Sequence, residues 1–143
     1  MQGYWKANFL RELNDGAIAA HTQFGATVTS MNTAVHIYPI DGAVSRVAVE
    51  DTAFAHRDMK FSPVIATQWP DPADNEANIA WARAYAAALA PHSEAGGYIN
   101  FMDSEDQNRV ADNYGPNWEK LVSVKAKYDP DNLFRVNQNI PPR

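Results

Sequence analysis

The 143-residue chain contains no cysteine. That excludes disulfides, thiolate metal sites and cysteine nucleophiles together. It also lacks a basic excess: Lys and Arg total 12 against 17 Asp and Glu, for a formal net charge of -5. A phosphate backbone would meet net repulsion, and the densest basic stretch, Lys120, Lys125 and Lys127, is interleaved with Glu119 and Asp129. Nucleic acid is therefore not an expected partner. No apolar run is long enough to span a bilayer, and the opening residues carry no apolar signal core. The expectation is a soluble, cytoplasmic chain with no membrane partner. Neither G-x-G-x-x-G nor G-x-x-x-x-G-K occurs, so no phosphate cradle of the usual kind is present. His21, His36, His56 and His92 show no close ligand spacing, and no bound metal is expected.

What is present fits one domain with a core, 45% of residues being hydrophobic. Tyr4 to Leu10 reads as a strand or an ordered lead-in. Asn14 and Asp15 cap a helix running to about Phe24, with Leu13, Ile18 and Ala19 inward. Thr33 to Ile40 alternates as a strand, Asp41-Gly42 signals a hairpin, and Ala43 to Val49 reads as its partner. Phe61 to Trp69 is a third strand, with Pro63 tolerated at an edge or bulge. Asp71-Pro72-Ala73-Asp74 starts a helix that Ile79, Ala82, Ala86 and Leu89 make amphipathic and Pro91 ends. Tyr98 to Met102 reads as a fourth strand, with Tyr98 and Asn100 on one face. The acidic group Asp103, Glu105 and Asp106 reads as the start of a short helix, where carboxylates favour the dipole. Gly115-Pro116 opens a last helix, with Lys125 and Lys127 at its carboxyl end. "DPDNLF" is a turn. The expected class is α+β: an antiparallel sheet with helices packed on one face. The whole chain, 1–143, reads as a single domain, with 1–95 forming a sheet part and 96–143 a C-terminal segment.

Bottom-up, no catalytic constellation emerges. His56-Arg57-Asp58 is a polar trio in an irregular segment, read as a loop anchor in which Arg57 pairs with Asp58 or Glu50. Gln68 and Trp69 lie at a strand end, and a polar side chain on a strand face meets either solvent or a cavity.

The stretches "TAFAHRD", "QWPDPADNEANIAWAR" and "GGYINFMDSED" draw attention together. With them goes the order Tyr98-x-Asn100, Tyr114-Gly115, Leu121-x-x-x-Lys125-x-x-Tyr128-Asp129-Pro130-x-Asn132-x-Phe134, Asn137-Gln138-x-Ile140. This pattern resembles the C-terminal part of berberine bridge enzyme-like FAD-linked oxidoreductases. The resemblance implies a substrate-binding module that closes over a flavin. Tyr98, Asn100, Asn137 and Gln138 would lie beside the cofactor, and Ser62, Gln68 and Phe101 beside a small-molecule substrate. It implies FAD as cofactor, with its ADP part held by a domain that this chain does not supply. The partner is then a separate FAD-binding polypeptide or a second copy of the chain. Two departures bear on chemistry. Phe101 stands where many members carry a tyrosine, and Ser62 stands near the place of a glutamate base, so no catalytic acid or base is assigned. The alternative is a stand-alone, non-enzymatic, small-ligand-binding or dimerising α+β domain.

Overall fold

A computed structural model describes residues 1–136 and 138–143. Its sheet has three strands, β1 (Gln2–Ala7), β2 (Ala34–Pro39) and β3 (Phe61–Trp69), in the order β1-β3-β2 with both pairings antiparallel. Two longer helices pack on one face: α1 (Asp15–Gly25) and α2 (Asn75–Leu89). Asn14 caps α1 by accepting from the Ala17 amide. The side-chain oxygen of Asp71 accepts from the Ala73 amide and starts the turn that leads into α2. Between the layers lie Tyr4, Leu10, Ala17, Ala20, Ile65, Trp69, Trp81, Ala82, Tyr85 and Leu89. The α+β layout with helices on one sheet face is thus observed. The inward face of α1 carries Ala17 and Ala20, while Ile18 is exposed. Small residues let α1 lie close to α2, where Phe24 stacks on Tyr85.

Three local expectations are corrected. Ala43 to Val49 is not a strand: it folds into two short 3-10 turns, Val44–Arg46 and Val49–Asp51. The Ile40 amide donates to Lys60 O, which continues the β2–β3 pairing, and the Val44 amide closes a turn onto Asp41 O. β2 takes β3 as its partner, and the chain from 40 to 60 becomes a long connection over the sheet. Pro63 lies in the central strand, not an edge. A strand residue's N–H and C=O point to the same side. The carbonyl of Pro63 accepts from the Asn8 amide at 3.1 Å, so the proline leaves only the return bond to Asn8 unmade, and Leu10 and Phe61 bond each other in both directions one pair further on. Tyr98 to Met102 is not a strand either. Ile99–Phe101 is a 3-10 turn, closed by the Phe101 amide on Tyr98 O. Gly96 has φ +91, and a Cβ on Gly97 would collide with the Ala7 carbonyl. Those two residues let the chain cross over β1 in close contact, so it lies above the sheet and adds no strand to an edge.

Directly paired strand residues share a face. Trp5, Ala7, His36, Tyr38, Ser62, Val64, Ala66 and Gln68 therefore form the face away from the helices. Phe101 stacks on Trp5 on that face. Lys6, the next residue along β1, points the other way and binds Glu105 and Asp106, the latter at 3.0 Å. The chain between Phe101 and Glu105 must consequently wrap the β1 edge. Tyr4 also donates to Glu105, Arg83 pairs with Glu105 at 2.6 Å, and Arg109 reaches both Asp106 and the Gly96 carbonyl. Glu105 and Asp106 are thus committed to ion pairs, in addition to lying at the start of the 3-10 segment Ser104–Arg109. The remaining helices are α3 (Val110–Tyr114) and α4 (Trp118–Tyr128).

Lys6 is only 9% exposed. Burial lowers its pKa, but the hydrogen bonds to Glu105, Asp106 and Tyr4 outweigh that and leave it raised. For Glu105, burial raises the pKa and the bonds from Arg83, Lys6 and Tyr4 more than reverse it, holding it down at about 2 from an ordinary 4.5. A depressed carboxylate stabilises the fold fully above its unfolded pKa and loses that contribution as pH falls toward the folded one. Two outcomes are expected. Lys6→Met, which leaves Asp106 buried without its main cation, costs about 3 kcal/mol in chemical denaturation. Stability also falls between pH 4.5 and pH 2, and Glu105→Gln removes part of that slope.

Candidate functional site

The 3-10 turn at Ile99–Phe101 and the 40–60 connection together roof the open sheet face. Beneath them is a cavity of about 480 Å³. Its floor is Ser62 with Tyr38 and Phe9, one wall is Val44 and Phe54, and the other is Tyr98 and Phe101. Aromatic rings dominate. Phe101 stacks between Trp5 of β1 and Tyr38 of β2, at 5.9 Å from each and within 9° of parallel. A ring that touches both edge strands must lie over β3, where Val64 and Ala66 are small enough to leave room. Tyr98 meets Phe101 edge-on at 5.4 Å. Such contacts contribute about 0.5–1.5 kcal/mol each beyond area burial.

Ser62 is 4% exposed, and its hydroxyl has no hydrogen-bond partner among the described residues. A buried hydroxyl without a partner is costly. Its place on the cavity floor makes it the natural polar contact for a bound molecule. The charged residue at the rim, Arg57, is already engaged. It donates to Phe54 O at 3.1 Å, to Val44 O at 3.1 Å, and to the Thr52 hydroxyl. Its guanidinium also lies over the Phe54 ring. Arg57 therefore anchors the loop as expected, but through carbonyls and not through Asp58 or Glu50; Asp58 pairs with Arg11. His56 stacks on Phe9 at 4.4 Å beside Gly96. Burial pulls its pKa below the usual value, against the opposing pull of the Asp112 and Asn113 backbone.

The structure brings Ser62, Tyr98 and Phe101 to one cavity. Asn100 is close by but faces a neighbouring hollow of about 290 Å³ with Trp5, Phe101 and Met102, and its amide donates to the Tyr98 hydroxyl at 3.1 Å. In the 3-10 turn this contact takes the place of the shared strand face. Gln138 donates to Met102 O at 2.9 Å, pinning the tail to the same segment. Asn137 lies outside the described residues. Gln68 does not join them. It shares the sheet face with Ser62 but sits six residues along β3, about 20 Å away, opposite Gly3. Trp69 is buried in the core on the helix side and bonds Asn75 at 2.8 Å, so it faces no cavity. Sequence reasoning missed Phe9, Tyr38, Val44 and Phe54. The alternation of His36 and Tyr38 already put Tyr38 on one face of β2. Phe54 and Val44 come from irregular chain and carried no signal.

Comparison with known proteins places the fold and the 97–141 segment. Residues 97–141 match the family model of berberine and berberine-like proteins. The chain is 34% identical over 132 residues to an uncharacterized FAD-linked oxidoreductase of Bacillus subtilis, YgaK, covering 92% of this chain and 29% of that protein. It is 38% identical over 107 residues to chitooligosaccharide oxidase of Gibberella zeae, covering 71% of this chain and 22% of that one. The solved structure of Physcomitrella patens BBE-like 1 superposes with a TM-score of 0.86 at 22% identity, covering 99% of this chain and 31% of that one, a likeness of fold. The chain is a relative of the FAD-linked oxidoreductases. The berberine-like match occupies 97–141, which places the similarity with the FAD-linked oxidoreductases of the berberine bridge enzyme kind. The chain spans under a third of the length of these relatives.

The Arg57 anchor yields a prediction. Arg57→Ala removes its bonds to Val44, Thr52 and Phe54 at once, and hydrogen exchange at 44–54 should quicken at least tenfold. The global loss should stay near 1–2 kcal/mol, because the loop is largely outside the core.

Proposed function

We propose that this chain is the C-terminal substrate module of an FAD-dependent oxidoreductase acting on a small organic molecule. The observation that carries this reading is the aromatic cavity with one unpartnered buried hydroxyl, at the berberine-like segment. Whether the residues present fit a flavin can be asked of the structure. Tyr98 is an exposed polar side chain at the cavity and Asn100 one at the neighbouring hollow, and an amide can donate to or accept from a ring edge. Gly115, the one other glycine near this segment with positive φ, opens no glycine-rich loop around a phosphate. The fit is therefore to the isoalloxazine end alone, with the ADP part held elsewhere.

FAD, if held here, would supply the hydride acceptor for a substrate C–H bond, with oxygen as the proposed final electron acceptor. The chain's own residues would do the rest. Tyr98, Asn100 and Gln138 border the ring. Phe101 and Tyr38 present flat apolar faces to substrate. Ser62 exchanges a hydrogen bond with a substrate hydroxyl, and the roof from 40 to 60 keeps water out. Among the described residues that line the cavity the basic side chain is Arg57, which is engaged, so a neutral substrate with one apolar face suits it. The similarity to a chitooligosaccharide oxidase supports a sugar as one such substrate. Phe101 has no titratable proton, so its part is to hold and desolvate. The module alone is expected to be inactive.

Lumiflavin, the ring without its ADP, tests this reading. Its fluorescence should be quenched on titration with the chain, and Tyr98→Ala with Asn100→Ala should weaken that binding about tenfold. Absence of quenching by both lumiflavin and FAD would sink the proposal.

A further inference from the structure

The sequence holds two Asp-Gly pairs, Asp15-Gly16 and Asp41-Gly42, each followed by alanine. Such a pair carries its own chemistry. The glycine nitrogen can attack the aspartate carboxyl, because the glycine has no Cβ to shield it. The fold sets the two pairs apart. Closing the five-membered ring brings the aspartate Cβ into the plane of the following amide. Helical ψ, about −42°, holds Cβ well out of that plane. Asp15 and Gly16 form the first turn of α1, and the space beside Gly16 is filled: a Cβ there would stand within 2.2 Å of the His92 ring. Asp15 is thus held away from ring closure.

Asp41-Gly42 has none of these restraints. It lies between the end of β2 and the 3-10 turn Val44–Arg46. Both residues are exposed, Gly42 has φ +60, and nothing lies within 4 Å of where its Cβ would stand. Among the described residues, the Gly42 amide donates to nothing and the Asp41 carboxylate accepts from nothing. The turn is held by its carbonyls instead. The Val44 amide donates to Asp41 O at 3.2 Å, and the Ser45 hydroxyl to Gly42 O at 3.1 Å. Arg57 fixes Val44 from the other direction, at its carbonyl. Pro39, Ile40 and Val44 line the cavity, so this turn carries one edge of the roof.

We propose that Asp41 is a site of spontaneous isomerisation to isoaspartate, and that the product unfastens the cavity roof at Val44. First the Gly42 nitrogen bonds to Asp41 Cγ, and one carboxyl oxygen leaves as water with the amide proton and the proton of the acid. The product is a succinimide. Water then adds to one of its two carbonyls. Addition at Cγ restores aspartate. Addition at the main-chain carbonyl gives isoaspartate, in which the chain runs through Cβ and Cγ and is one carbon longer. The carbonyl that Val44 bonds has then become a free carboxylate. Water is lost once and gained once, and nothing is oxidised or reduced. The added carbon displaces Val44 relative to Ile40, whose amide stays on Lys60 O.

The test is warm incubation of the folded chain at neutral pH, followed by digestion and labelling of each peptide with protein isoaspartyl methyltransferase. Label should accumulate in the peptide holding Asp41, about tenfold above the one holding Asp15, and Asp41→Glu should remove it, since a glutamate would have to close a six-membered ring. In the isomerised fraction, separated by chromatography, amide exchange at Val44 should quicken about tenfold while α1 and α2 keep theirs. In chain unfolded with urea the two pairs should label alike. No label at Asp41, equal labelling of the two pairs in the folded chain, or unchanged exchange at Val44 overturns the proposal. So does a preference for Asp41 that persists in urea.

Discussion

The buried ammonium of Lys6 is the constraint around which the molecule is arranged. A charge this far from water needs ionised partners, and none lies nearby in sequence. Glu105 and Asp106 supply them from about a hundred residues away. Meeting Lys6 forces the C-terminal segment around the β1 edge. That wrapping lays Tyr98 to Phe101 over the open sheet face, while Arg83 and Tyr4 tie Glu105 to α2 and β1. The crossing also covers an edge strand that would otherwise present unpaired backbone groups.

From that anchor follows the cavity. The sheet offers one face to the helices and one to the segment that wraps it. The roof is irregular chain, and irregular chain holds shape only where side chains fix its carbonyls. Arg57 does so at Val44 and Phe54, and Asn117 does so from the α4 side at Val49 and Thr52. The Arg57 guanidinium and the Asn117 amide are thereby spent on scaffolding. What remains for a ligand is mostly aromatic surface and the Ser62 hydroxyl. A site of that kind positions and dries its contents, while the hard chemistry belongs to a cofactor.

Much of the frame was legible beforehand. The Asn14 cap, the Asp71-Pro72 helix start, the stop at Pro91, the alternation of β2 and the extent of β3 are local signals, and each appears where its residues put it. The errors share a physical origin. Ala43 to Val49 and Tyr98 to Met102 both carry strand-like patterns, but a strand exists only with a partner edge. β3 was already paired on both sides, and the segment after Gly97 met a face instead of an edge. Trp69 and Gln68, adjacent in sequence, were divided by the pleat, one to the core and one to the open face far from Ser62.

Composition, capping and periodicity alone determined an α+β chain with an amphipathic second helix. The motif from Tyr98 to Ile140 marked its kinship. Only the tertiary structure decided which rings enclose a cavity, that Ser62 lies on its floor, and that Asp106 is buried to meet Lys6. Those outcomes depend on contacts between residues far apart in the chain, whose cost and reward appear only when the sheet, its two faces and the wrapping segment are all in place.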